Sequence, residues 1–307
     1  PCEMCIRDSW AAASRDGDRV GGDFPAWLPD LAGKARTRGL ADRRGECVYA
    51  ACPHYSRCPI EKSVRRARRA DIVVANHALV MIQAALGAAN ADQSAGSTDA
   101  RAPLRYVFDE GHHVFEAADS AFGASLSGVE TSELRRWIVG NEGAKTRRRG
   151  LKARAEDLIG GDEEMLALLD RAMAAARALP GEGWLARLAG ESVGPPEAFL
   201  ALARKQAIAR AEGEDDGYSL ETEPRPPIPG LIEAADRLDA ALGRIAEPMM
   251  ALAKRLAEKL DDEAADLDTA TRARIEAVAR GLSRRAGNEL AGWRAMLKSL
   301  SGATPPE

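Results

Sequence analysis

Leu104-Arg105-Tyr106-Val107-Phe108-Asp109-Glu110-Gly111-His112 is a short apolar run that ends in two adjacent carboxylates. Its first five residues read as a strand, and the acidic pair as what the strand delivers to one edge of a sheet. Upstream, Asp71-Ile72-Val73-Val74-Ala75 is a second β-branched run bounded by polar residues, of the kind that fills a buried parallel strand. Asn76-His77 ends it, residues 78–86 read as a helix, and the Ala, Asn, Asp, Ser, Gly and Thr of 87–102 read as a flexible surface loop. Helix, strand, helix, loop, strand is the order of a parallel α/β sheet, with polar residues at the carboxyl ends of strands, where such sheets bind ligands.

Working toward the N-terminus, Glu61-Lys62-Ser63-Val64-Arg65-Arg66-Ala67-Arg68-Arg69 is a basic helical run, either a solvated face or a phosphate grip. Ahead of it, Cys47-Val48-Tyr49-Ala50-Ala51-Cys52-Pro53-His54-Tyr55-Ser56-Arg57-Cys58 places three thiols within twelve residues. Three close cysteines in a reducing compartment suit a soft metal centre or an iron–sulfur cluster better than a disulfide. The intervals of four and five residues are wider than the Cys-x-x-Cys knuckle of zinc ribbons, which favours iron–sulfur. Zinc with His54 as fourth ligand, and a set of buried structural thiols, remain the alternatives. Cys5 and Cys2 are the remaining thiols for a fourth cluster ligand. The chain opens on Pro1 with no initiator methionine, and the first residues show no periodicity of a structural element, so a truncated gene with a non-native head is expected. Residues 14–45 read as loop, with a short amphipathic piece over 27–40.

Toward the C-terminus the character changes after Val129, and everything reads as helix or linker. The candidates are 132–139, 151–159, 163–179, 184–188 and 196–211, then an acidic and proline-rich tract, 212–229, expected to be a solvent-exposed connector. Two long helices follow, 230–260 and 263–300, joined at Asp261-Asp262 as an antiparallel pair. Leu231, Ala234, Leu238, Ala241, Leu242 and Ile245 recur at three- and four-residue spacing, so they predict one buried stripe. Pro248 is expected to kink or divide the first of the two.

The 307 residues have room for two domains, and the formal charge of -4 means that contacts to nucleic acid must come from local basic patches. Aromatic residues are 5% of the chain while Ala, Leu, Arg and Glu abound, a helical bias. No apolar run is long enough to span a membrane and no signal peptide is visible, so a cytoplasmic protein with no membrane partner is expected. Five cysteines is an odd count, which argues against a disulfide framework.

An apolar strand ending in Asp109-Glu110 matches the arrangement in which an aspartate holds magnesium and a glutamate orients the attacking water of a nucleotide hydrolase. A solvated strand end gives the same pattern, and His112 raises the specificity. Metal hydrolysis by Asp109, Glu110, His112 and His113 is a rival without the His-Glu-x-x-His signature. The phosphate-binding pattern Gly-x-x-x-x-Gly-Lys-Ser/Thr is absent; Gly143-Ala144-Lys145-Thr146 has alanine where the second glycine belongs and runs into Arg147-Arg148-Arg149, a basic loop. The chain as given is therefore expected not to hydrolyse ATP alone.

In order, Cys47, Cys52, Cys58, then Asn76-His77-Ala78-Leu79, then Asp109-Glu110-Gly111-His112 resemble the DinG/XPD-like superfamily 2 DNA helicases that carry an iron–sulfur cluster. Gly111 stands where that family's DEAH box has alanine. The resemblance implies an α/β RecA-like motor-domain portion with an inserted iron–sulfur module, followed by a mainly α-helical arch. Its divisions would be 1–61 for the cluster module, 62–130 for the motor portion and 131–307 for the arch. It also implies a 4Fe-4S cluster on Cys47, Cys52 and Cys58, with ATP and Mg2+ used by the full-length protein. Asp109 would bind magnesium, Glu110 would activate water, and His112 would couple hydrolysis to movement. Lys62, Arg65, Arg66, Arg68 and Arg69 would grip single-stranded or forked DNA, and the expected protein is a monomer with 5′ to 3′ polarity, of the DNA-repair kind. From other classes, a zinc-stabilised nucleic-acid-binding module without motor activity and a helical scaffold remain as readings of the same residues.

Overall fold

The computed structural model describes residues 13–14, 17, 22–32, 55–90, 105–140, 150–188, 190–211, 220–263 and 266–302. Cys2, Cys5, Cys47, Cys52, His54 and the basic loop 143–149 lie outside them. The chain divides into two compact units, Pro1–Gly123 and Ala124–Glu307.

In the first unit, helix α1 (Leu28–Ala32) buries Leu28 together with Phe24. A 3-10 turn at Tyr55–Arg57 leads through Cys58 into α2 (Pro59–Ala67). Pro59 presets the φ of the first helical turn, where its missing N–H costs nothing. Helix α3 (His77–Asn90) starts with the Asn76 Oδ1 accepting the Leu79 N–H at 2.8 Å. It runs past Gly87, where the sequence predicts a loop. The alanines around Gly87 are strong helix formers and outweigh its cost of about 1 kcal/mol. Helix α4 (His113–Phe122) packs against α3.

Neither predicted strand forms among the described residues, which corrects the expected sheet. Residues 71–76 and 105–108 run without regular structure, and Val74 and Val107 are 95% and 96% exposed. A parallel strand exists only by pairing with neighbours and by cover on both faces. The described part of this unit supplies two packed helices and no second layer, so nothing offsets the cost of ordering these runs as strands.

The second unit is helical, as the pattern predicts, and holds a contiguous core. Its helices are α5 (Gly128–Val139), α6 (Leu151–Ile159), α7 (Glu163–Ala176), α8 (Trp184–Arg187), α9 (Pro195–Arg210) and α10 (Leu231–Asp262), then α11 (Thr269–Arg284) and α12 (Ala291–Ser299) with one π-helical stretch, Arg285–Leu290, between the last two. Helix α10 is the axis on which α7, α9, α11 and α12 pack. Leu231, Ala234, Leu238, Ala241, Leu242 and Ile245 are all buried, and the stripe continues through Met249, Leu252 and Leu256. Pro248 does not divide α10. It is itself buried beside Ile245, Met249 and Leu252, whose apolar contacts hold the helix through the missing hydrogen bond.

Two boundaries differ from the sequence reading. The joint after α10 falls later than Asp261-Asp262, because Asp268 caps α11 by accepting from the N–H groups of Ala270 and Thr271. The stretch 220–229 is more than an exposed connector: Gln206 of α9 donates to the carbonyls of Glu223 and Pro224 and accepts the Ile228 N–H, while Arg210 donates to Glu223. Gln206 is buried, so these bonds satisfy a side chain that would otherwise be costly to desolvate. At the start of the unit, Ser127 and Glu130 form a capping box on α5.

Candidate functional site

The acidic pair sits in a turn between residues 105–108 and α4. Glu110 has φ 49°, the left-handed region that a non-glycine residue enters only when the local geometry requires it. Asp109 Oδ1 accepts the Glu110 N–H at 3.1 Å, and the Glu110 carbonyl accepts the His113 N–H at 3.0 Å. His112 occupies the N-cap of α4, with Nδ1 3.4 Å from Glu110 Oε2. Asp109, Glu110 and His112 are all exposed, the condition a hydrated magnesium ion needs for access to their oxygens.

Asn76-His77 is brought to this turn. The His77 ring stacks on Phe108 at 5.9 Å between centroids and lies 6.4 Å from His113, which in turn lies 4.0 Å from His112. Two packed helices, α3 and α4, thus start beside each other, one on the Asn-His segment and the other on the Asp-Glu-Gly-His segment. Among the described residues no group of three or more His, Cys, Asp or Glu side chains is placed to hold a metal ion, so the rival set of Asp109, Glu110, His112 and His113 is not assembled as a metal cage.

Cys58 is an unpaired, half-buried thiol at the N-cap of α2. Cys47 and Cys52, its proposed companions, fall outside the described residues.

Lys62, Arg65, Arg66, Arg68 and Arg69 are all exposed on or just after α2, which buries no side chain. Arg65 is already engaged. Its Nε donates to Glu61 Oε1 at 2.8 Å, and its guanidinium lies 4.9 Å from the centroid of the Tyr55 ring. The Tyr55 hydroxyl, and then Arg65, hold the Glu61 carboxyl below its ordinary range. Sequence reasoning missed Tyr55 and the His77–Phe108 stack. The first had a signal, an aromatic residue just ahead of a basic helix; the second depends on a contact between segments far apart in the chain.

The chain is 31% identical over 123 residues to the ATP-dependent DNA helicase DinG of Photobacterium profundum, covering 39% of this chain and 16% of that protein. It is 26% identical over 142 residues to the ATP-dependent DNA helicase YoaA of Escherichia coli (strain K12), covering 45% and 20%. Its curated homologues are DinG and YoaA helicases. DinG of Escherichia coli (strain K12) is similar too, at 35% over 88 residues, covering 29% of this chain and 11% of that protein. The matched part of this chain spans a fifth or less of the length of these relatives. No family model and no solved structure matches the chain. Among the described residues no helix is long and apolar enough to cross a membrane.

Proposed function

We propose that this chain is a part of a cytoplasmic, monomeric ATP-dependent DNA helicase with 5′ to 3′ polarity. Residues 1–61 contribute to an iron–sulfur module, 62–130 to a RecA-like motor domain, and 131–307 form the helical arch. The observation that carries the reading is the meeting of Asn76-His77 with Asp109-Glu110-Gly111-His112 at two adjacent helix starts, in a chain whose homologues are helicases.

In the complete enzyme Asp109 would hold Mg2+, which would supply charge stabilisation for the nucleotide phosphates. Glu110 orients the water that attacks the terminal phosphorus, breaking its bond to the bridging oxygen and releasing ADP and phosphate. His112, within reach of the Glu110 carboxylate, transmits the change at the phosphate to the neighbouring helix starts. Cys47, Cys52 and Cys58 would hold a 4Fe-4S cluster together with a fourth thiolate, for which Cys5 and Cys2 are the candidates in this chain. Held there, the cluster would cross-link these thiolates, and the basic face of α2 that follows Cys58 would bind single-stranded DNA at a fork. This chain by itself contains no phosphate-binding loop and does not turn over ATP.

The test has two arms. In a helicase that carries this segment, Glu110→Gln lowers ATP turnover by at least about 100-fold, the contribution of a positioned base; an unchanged rate refutes the hydrolase role. Anaerobic reconstitution of the chain gives iron and sulfide, lost in Cys58→Ser. Stoichiometric zinc without iron replaces the cluster by a zinc-stabilised binding module.

A further inference from the structure

The geometry points to Tyr55 as a stacking platform for a nucleobase of single-stranded DNA, a subsite that reads the base beside the phosphate grip of α2. The inference rests on the DNA-binding reading above and adds a residue with a different chemistry. Between residues 55 and 70 the chain carries six basic side chains (Arg57, Lys62, Arg65, Arg66, Arg68 and Arg69) against the single acidic Glu61, although the whole chain is net negative. Such a local concentration of positive charge is the electrostatic footprint of a phosphate backbone.

Tyr55 is held at the edge of that charge. Its carbonyl accepts the Cys58 N–H at 3.2 Å, which fixes the turn that enters α2. The Arg65 guanidinium covers one side of the ring, 4.9 Å from its centroid, and is itself held by Glu61, whose Oε1 accepts the Arg65 Nε–H at 2.8 Å. The residue is partly exposed, and a base would take the ring face opposite Arg65. A ring whose rotamer is fixed and whose covered face carries a cation loses little entropy when a base stacks on the open face. Because every base offers a π-face, such a platform is tolerant of sequence, as an enzyme that travels along DNA requires. Glu61 has a defined part: it neutralises Arg65 and holds it over Tyr55, so that Arg65 serves the ring while Lys62, Arg66, Arg68 and Arg69, on or just after α2, serve phosphates.

The experiment compares the chain and its variants on a deoxythymidine oligonucleotide and on a strand of equal length whose deoxyribose phosphates carry no bases. Binding is followed by anisotropy over a range of salt. Tyr55→Ala lowers affinity for the thymidine strand about ten-fold, with the slope against salt unchanged, since every cation that pairs with a phosphate is still in place. On the abasic strand Tyr55→Ala and the parent chain bind alike. Tyr55→Trp retains affinity, and its added fluorescence is quenched by the thymidine strand but not by the abasic one. Equal affinity of Tyr55→Ala and parent for thymidine, or a deficit that persists on the abasic strand, overturns the stacking role while the DNA-binding reading stands. A parent chain with no salt-dependent binding to either strand overturns that reading and the inference with it.

Discussion

Replacing Arg187 by alanine destabilises the helical unit by about 2–3 kcal/mol, because it strands a buried carboxylate. Glu197, in the first turn of α9, is 2% exposed. Arg187 of α8 reaches it with Nε at 3.2 Å and 3.0 Å from the two carboxylate oxygens and Nη2 at 2.6 Å, and the Val193 N–H adds a further bond at 3.0 Å. Removal of one partner of a fully buried pair costs about 3–5 kcal/mol. The figure is lower here because the arginine side chain keeps 29% of its exposure and the Val193 N–H still serves the carboxylate. Arg187→Met combined with Glu197→Leu removes the charge as well as its partner, and falls within about 1 kcal/mol of the parent. Urea unfolding of the chain, followed by far-ultraviolet circular dichroism, measures both. The pH dependence carries a sign of its own. Arg187, and then the Val193 N–H, hold the Glu197 carboxyl below its ordinary range. Its contribution is therefore present above the unfolded value and lost as pH falls through the depressed folded one. The gap between parent and Arg187→Ala should close in that window. A cost under about 0.5 kcal/mol at neutral pH, or a double variant as unstable as the single, refutes the reasoning.

Two further outcomes follow from the same structure. Changing Lys62, Arg66, Arg68 and Arg69 together to alanine should reduce the salt slope of single-strand binding by about 3, at roughly 0.7 for each phosphate that is no longer neutralised; an unchanged slope makes this face a merely solvated one. Burial pushes the Glu289 carboxyl up, against the opposing pull of Arg285 and Arg284. Its stabilising effect is present below the unfolded value and lost as pH rises through the raised folded one, so Glu289→Gln should raise the melting temperature at neutral pH and leave it unchanged near pH 4, in a scan across that range.

The helical unit is legible in the sequence because its information is local. The three- and four-residue recurrence from Leu231 to Ile245 is the buried stripe of α10, and the helix expected over residues 151–159 coincides with α6. What escapes such a reading are features decided by partners elsewhere in the chain. Pro248 leaves α10 whole because the core around Met249 and Leu252 holds it, and Gln206 turns part of a proline-rich tract into a tethered segment. The two apolar runs show the same logic in reverse. Periodicity identifies residues that need burial, yet a strand forms only where neighbours supply its hydrogen bonds, and 71–75 and 105–108 find none among the described residues. The acidic turn depends less on that pairing. The Asp109–Glu110 hydrogen bond, the left-handed Glu110 and the contact of His112 with Glu110 are set within four residues, and the stack of His77 on Phe108 then draws in Asn76 and the start of α3. The acidic turn and the Asn76-His77 segment are consequently held in place by local geometry and two packed helices, while the apolar runs leading into them form no strand among the described residues.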